Sequence, residues 1–136
     1  MVSDRQNIAA GTQQPEKFDV IIVGAGISGI GSATLLRKHC PDLSFAILEA
    51  LEGHGGTWLI HKYPGTRSDS DLFTFGYGFK PWTGQPIASR DQILDYLGDA
   101  IADAGLGPFI RYGHSVTSAD WSSETASWRL TVERKE

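Results

Sequence analysis

A chain of 136 residues with a net charge of −4 and 40% hydrophobic side chains suits one domain with its own core. Its single cysteine, Cys40, excludes an internal disulfide framework and fits a reducing, cytoplasmic setting. With no Lys/Arg cluster to neutralise phosphates and no apolar run of the roughly 18 residues a membrane span needs, neither a nucleic-acid partner nor a bilayer is expected.

Taken in chain order, residues 1–17 are polar, of mixed charge, and lack the basic start and apolar stretch of a signal peptide, so they read as a disordered N-terminal tail. A folded domain is expected over 18–136. Asp19-Val20-Ile21-Ile22-Val23 is a near-continuous β-branched run, which predicts a strand buried on both faces of a parallel sheet. Gly24-Ala25-Gly26-Ile27-Ser28-Gly29 follows, then a helical stretch through Leu36 and Lys38 that Pro41 stops. Phe45-Ala46-Ile47-Leu48 predicts a second strand ending at Glu49, and the whole forms one βαβ unit. From Ala50 to Trp82 the chain is glycine-rich and shows no period, a length that points to a functional loop. Ser89-Arg90-Asp91-Gln92 reads as a capping box opening a second helix on Ile93, Leu94, Leu97, Ile101 and Ala104, with Gly105 as its stop. A short third strand is expected at 109–112. Val116 to Ser122 and Trp128 to Glu133 alternate as an antiparallel hairpin, with Trp128, Leu130 and Val132 on one face. The fold class is therefore α/β: a Rossmann-like βαβ dinucleotide-binding fold of parallel strands plus a small antiparallel hairpin.

The chemistry begins in the glycine turn. G-x-G-x-x-G is weak evidence alone, but here a strand precedes it, a helix opens at it, and an acid lies downstream. Gly24 permits the tight turn, Gly26 lets the backbone approach a pyrophosphate, and Gly29 lets helix and strand pack closely. The helix N-terminus then supplies N–H groups and partial positive charge, so an acidic chain needs no lysine to hold the phosphates. Glu49, 20 residues past Gly29, is placed to accept hydrogen bonds from an adenosine ribose and to repel a 2′-phosphate, which disfavours the adenosine half of NADP. The plain alternative is a turn whose glycines serve packing only and a solvated Glu49.

The long loop narrows the reading. Gly55-Gly56-Thr57-Trp58, Tyr63-Pro64-Gly65-Thr66-Arg67-Ser68-Asp69, Asp71-Leu72-Phe73-Thr74, Gly76-Tyr77, Phe79-Lys80-Pro81-Trp82 and Ala119-Asp120-Trp121 together resemble the class B flavoprotein monooxygenases. Among these the chain is most similar to Baeyer–Villiger monooxygenases of the type that activates thioamide prodrugs in mycobacteria. The resemblance implies FAD along Gly24, Gly26, Ser28 and Gly29, with its ribose on Glu49 and its adenine beside the Val116 backbone. It implies that Gly56, Thr57, Trp58, Leu59 and Ile60 pass beside the ribityl chain and flavin. It also implies that Arg67, Ser68 and Asp69 meet NADPH. Asp69 is the one catalytic candidate, expected to orient an arginine from a later part of the family's sequence. Small residues at 55, 56 and 65 suit a backbone packed against a flat ring, and the Trp58 indole suits shielding from water. The substrates implied are a ketone or sulfur compound and O₂.

Other residues carry plainer expectations. His54 and His61 lack ligand spacing, so no metal is expected. Asp91, Asp95, Asp99 and Asp103 recur every fourth residue and read as a solvated helix face. Trp121 and Trp128 are expected to pack the hairpin. Gly78 stands where relatives have a large basic residue. Family members are several times longer, and their second dinucleotide fold and F-x-G-x-x-x-H-x-x-x-W fingerprint are not found here. The expectation is thus the N-terminal FAD-binding portion of such an enzyme, inactive alone and prone to self-association through an open sheet edge. The alternatives are an inactive truncated nucleotide-binding module and, further off, half of an NAD-dependent dehydrogenase.

Overall fold

A computed structural model of the chain describes residues 14–136, so the reading of 1–13 as tail lies outside it. Five strands and four α-helices follow in order: β1 (Val20–Val23), α1 (Ile27–His39), β2 (Phe45–Leu48), α2 (Thr57–Ile60), α3 (Leu72–Phe75), α4 (Arg90–Asp103), β3 (Ile110–Arg111), β4 (His114–Ser122) and β5 (Ser127–Arg134). A 3₁₀ turn over Gly107–Phe109 leads into β3. No described helix is long and apolar enough to cross a membrane.

β1, β2 and β3 form a parallel sheet in the order β1-β2-β3, with Val20 opposite Phe45 and Ile47 opposite Ile110. The expected α/β class is borne out. The expected two-sided burial of the first strand is not. Among the described residues β1 hydrogen-bonds only to β2, and its last residue, Val23, is 63% exposed. Full burial belongs to β2, all four residues of which lie under flanking elements. An apolar β-branched run marks a strand that can be buried on both faces, but its rank in the sheet depends on neighbours that no local pattern records.

The core joins Ile30 and Ala33 of α1, Phe45 and Ile47 of β2, Leu72 of α3, and Ile93, Tyr96, Leu97 and Ala100 of α4. α4 starts as expected: Ser89 Oγ accepts from Gln92 N–H and the Gln92 side chain accepts from Ser89 N–H, closing the capping box. Its far end is held by Arg37 of α1, whose guanidinium donates to the carbonyls of Ala104 and Gly105 at 2.8 and 2.7 Å. The same guanidinium lies over Phe109, which stacks on Phe45 at 4.4 Å. The helix C-terminus, the 3₁₀ turn and β2 are thus tied together by one side chain.

The loop from Ala50 to Trp82 is more ordered than its sequence predicts. It contains the single turns α2 and α3, and Asp71 caps the latter through Thr74 N–H at 2.9 Å. Segment 66–68 runs antiparallel to 88–90, with Ser68 N–H donating to Ala88 O and Arg90 N–H to Thr66 O. These bonds, made across some twenty residues of sequence, replace the missing local period.

β4 and β5 form the expected hairpin, with a bulge between Val116 and Ser118. Because directly opposed residues share a face, the bulge brings Val116 onto the side of Ala119 and Trp121, facing Val132, Leu130 and Trp128. Trp121 and Trp128 do pack on each other at 5.4 Å, yet both remain more than half exposed.

Candidate functional site

The glycine turn is built from two distinct constraints. Gly24 takes φ +100°, a conformation that favours glycine, and its N–H donates to Leu48 O across the sheet at 2.8 Å. At Gly29 a Cβ would stand 1.9 Å from Gly24 O, so this glycine is required for the helix to meet the turn. Gly26 is different. Its backbone is ordinary extended chain, φ −84° and ψ −169°, and a Cβ there would come no nearer the protein than 3.7 Å, at Gly56 Cα. Neither backbone conformation nor internal packing demands glycine at 26.

Gly55 and Gly56 close over this turn. Gly55 N–H donates to Ala25 O at 2.9 Å, setting the Gly56 backbone opposite that of Gly26. Of the glycines expected to pack against a flat ligand ring, Gly55, Gly56 and Gly65 each have an internal reason, Gly56 through its φ of +54°. Gly55 has φ +124° and a Cβ would strike Leu94 Cδ2 at 2.4 Å, whereas Gly65 has φ +81° in an open turn. The Gly26 and Gly56 backbones pack against each other beside the start of α1. No side chain caps that helix, so its first-turn N–H groups, including those of Ser28 and Gly29, face outward.

Glu49 is buried, not solvated. Its Oε2 accepts from Ala25 N–H at 2.7 Å and its Oε1 from Leu51 N–H at 2.8 Å. Its main chain bonds both ways: N–H to Arg111 O of β3 at 3.0 Å, and O from His114 N–H of β4 at 2.8 Å. One residue therefore joins the phosphate turn, the parallel sheet and the hairpin. Each carboxylate oxygen retains a lone pair for a further donor. Val116, two residues beyond His114, is thereby held near the same end of β2. Burial, and next the Glu49 charge, push the neighbouring Tyr112 phenol above its ordinary value.

The flavin-side candidates fall on α2 and the bridge segment. Thr57 and Ile60 are exposed, Leu59 packs toward Gly53, and half-buried Trp58 meets Phe75 edge-on at 6.5 Å. Ser68 is buried and its hydroxyl accepts from Ala88 N–H at 3.1 Å, while Arg67 and Asp69 on either side of it are exposed. One residue with no motif of its own links these pieces. Arg90 Nη2 donates to Leu59 O at 3.2 Å, across 31 positions, and its Nε is buried without a partner. A basic residue after a helix cap carries no sequence signal for such a contact.

His54 Nε2 lies 3.1 Å from Leu94 O, and the His61 ring meets Tyr63 edge-on. A cleft of about 520 Å³ lies between Gly53, His54 and Leu59 on the loop and Leu94, Asp95, Gly98 and Asp99 on α4. Of the candidate residues it includes Leu59, and it lies off the phosphate turn.

Residues 22–97 match the profile of the NAD(P)-binding Rossmann-like domain, more than half the chain, with the glycine turn, Glu49 and the loop through Asp69 inside the match. The chain belongs to that family. Its relatives carry the comparison further. It is 50% identical over 119 residues to the FAD-containing monooxygenase EthA of Mycolicibacterium smegmatis and 48% identical to a probable FAD-binding monooxygenase, AlmA, of an Acinetobacter species; each match takes in 87% of this chain and 24% of the relative. Among solved structures it is similar to oxidized steroid monooxygenase bound to NADP, with a TM-score of 0.78, 31% identity and coverage of 85% of this chain and 23% of that one. It is likewise similar to OTEMO in complex with FAD and NADP, with a TM-score of 0.78 and 29% identity over 90% of this chain and 24% of that one. These likenesses bear out the resemblance to flavoprotein monooxygenases read from the loop motifs. The chain spans about a quarter of the length of the relatives it matches.

Proposed function

We propose that these residues form the FAD-binding portion, over 18–136, of an NADPH-dependent flavoprotein monooxygenase of the Baeyer–Villiger type, acting in the cytoplasm on a ketone or a sulfur compound. The observation that carries this reading is the uncapped start of α1 at the Gly24–Gly29 turn, beside buried Glu49. A pyrophosphate fits a turn that presents main-chain N–H groups at a helix start.

In this assignment Gly24, Gly26, Ser28 and Gly29 hold the pyrophosphate, with Gly29 acting by setting the turn. Glu49 accepts from the adenosine ribose with its remaining lone pairs, and its charge excludes a 2′-phosphate. The adenosine half held here therefore belongs to FAD, and NADPH binds against Arg67 and Asp69. Val116 borders the adenine. Gly56, Thr57, Trp58, Leu59 and Ile60 flank the flavin, with the indole keeping water from one side. Held by these residues, FAD would supply the redox chemistry that couples NADPH oxidation to oxygenation of the substrate by O₂. Asp69 orients an arginine from outside these residues through charge-assisted hydrogen bonds. On their own the 136 residues bind FAD weakly and oxidise no ketone, and the one-sided edge of β5 is where copies associate.

Titration with FAD and with NAD, followed by thermal unfolding and flavin fluorescence, tests the assignment. FAD is expected to protect the chain at concentrations where NAD does not. Glu49→Ala should weaken FAD by about ten- to a hundredfold, the loss of hydrogen bonds to a charged group. Protection by NAD alone would favour a dehydrogenase half, and an unchanged FAD affinity in the variant would remove the ribose from Glu49.

A further inference from the structure

Tyr77 lies 50 residues from the glycine turn in sequence, yet its hydroxyl donates to the carbonyl of Ile27, the first residue of α1. The approach is specific in three ways. Gly31 leaves the space for it: a Cβ there would stand 2.8 Å from Tyr77 Cε1. The ring is sandwiched between Phe79 at 4.6 Å and Tyr96 at 5.7 Å, both nearly parallel to it. The backbone is pinned as well, since Tyr77 N–H donates to Tyr96 Oη at 2.8 Å and that hydroxyl donates to Lys80 O at 2.6 Å. A half-buried aromatic held this firmly is well suited to fix whatever its hydroxyl touches.

The hydroxyl touches the peptide that joins Ile27 to Ser28. Its carbonyl accepts a hydrogen bond from the Tyr77 hydroxyl, and its N–H, that of Ser28, is one of the uncapped donors of the first turn of α1. Donation to a carbonyl polarises the peptide and makes the N–H on its other side a stronger donor. Burial pushes the Tyr77 phenol far above its ordinary range, so it stays protonated at every physiological pH.

We infer that Tyr77 is a positioning residue for the phosphate turn: through the Ile27 carbonyl it orients and polarises the Ser28 N–H toward a bound diphosphate, with Gly31 as the opening that admits it. The inference rests on the assignment of the Gly24–Gly29 turn to a pyrophosphate.

Equilibrium titration of the 136-residue chain with ADP and, separately, with adenosine separates positioning from support. Tyr77→Phe keeps the ring stack and removes the hydroxyl. It should weaken ADP by about three- to tenfold, the range expected for one lost hydrogen bond, and leave adenosine affinity unchanged. Gly31→Ala, which displaces the same ring, should show the same selective loss. Equal losses for ADP and adenosine would reduce Tyr77 to general support of the fold and overturn the inference, as would an unchanged ADP affinity in Tyr77→Phe. If the unaltered chain binds adenosine and ADP equally, the pyrophosphate assignment itself fails and takes the inference with it.

Discussion

Glycines that look alike in a motif do different work. Gly29 is demanded by the protein: any side chain would drive into Gly24 O, and the backbone must yield. Gly26 is not: its backbone is extended, and a Cβ would meet only the Gly56 backbone, at 3.7 Å. The contrast gives a paired expectation. Gly29→Ala should lower folding stability by about 3 kcal/mol or more, the upper part of the range for overpacking a tight site. Gly26→Ala should cost about 1 kcal/mol or less, as a glycine N-cap becomes alanine, yet abolish measurable ADP binding, because the pyrophosphate needs close approach to the backbone there. Urea unfolding of both variants alongside ADP titration checks this. A Gly26→Ala chain that binds ADP normally would contradict the role of the turn. Glu49 also has two jobs. Its carboxylate already satisfies two main-chain N–H groups, so its removal should destabilise the turn as well as the ribose contact. Unfolding data on Glu49→Ala therefore belong beside its affinity.

At the scale of elements, what the sequence made legible was what is encoded locally. The Ser89–Gln92 capping box, the β1–turn–α1–β2 unit and the hairpin all follow from residues within a few positions of each other. The edge position of β1, the 66–68 and 88–90 pairing, and the reach of Arg90 to Leu59 depend on partners twenty or more residues away and have no such signature. The site divides the same way. Gly24, Gly26, Gly29 and Glu49 were readable as a spacing, whereas the burial of Ser68 and the docking of Tyr77 were not. Two long-range clamps at the entry of the sheet have a pH signature. Asp19 Oδ2 accepts from Ser44 N–H at 2.7 Å and from Ser44 Oγ at 2.8 Å, tying the start of β1 to that of β2. Those bonds hold the Asp19 carboxyl below its ordinary 3.8. Arg111 of β3 holds Glu16 below its ordinary 4.5 by a two-point contact at 3.0 and 2.7 Å. A depressed carboxyl stabilises the fold fully above its unfolded value and loses that contribution as pH falls through the folded one. Both clamps should therefore hold at neutral pH and release on acidification below these ordinary values. The Ser44 amide and Arg111 guanidinium shifts should follow with midpoints below 3.8 and 4.5 respectively. Midpoints at or above those values would mean that the clamps do not form in solution.

For the whole molecule, composition and site reconcile. A chain of net charge −4 offers an anion no cluster of cations, and the proposed diphosphate site uses main-chain N–H groups and the start of α1 instead. Glycine enrichment, 16 in 136 residues against the ~7% usual in globular chains, has several causes. Left-handed turns account for Gly24, Gly55, Gly56, Gly65, Gly105 and Gly113, and close packing for Gly29, Gly31, Gly76 and Gly84, while Gly26, Gly78 and Gly107 meet neither demand. The two sheets meet at Glu49, so a diphosphate bound at the turn should be felt at the root of the hairpin as well. The most direct test is an amide NMR titration of the chain with ADP. The account predicts that the largest shifts fall on Gly24 to Gly29, Gly56 and Leu51, with smaller ones at His114 and Val116. Shifts confined to the cleft between His54 and α4, or no shifts at all at saturating ADP, would contradict it.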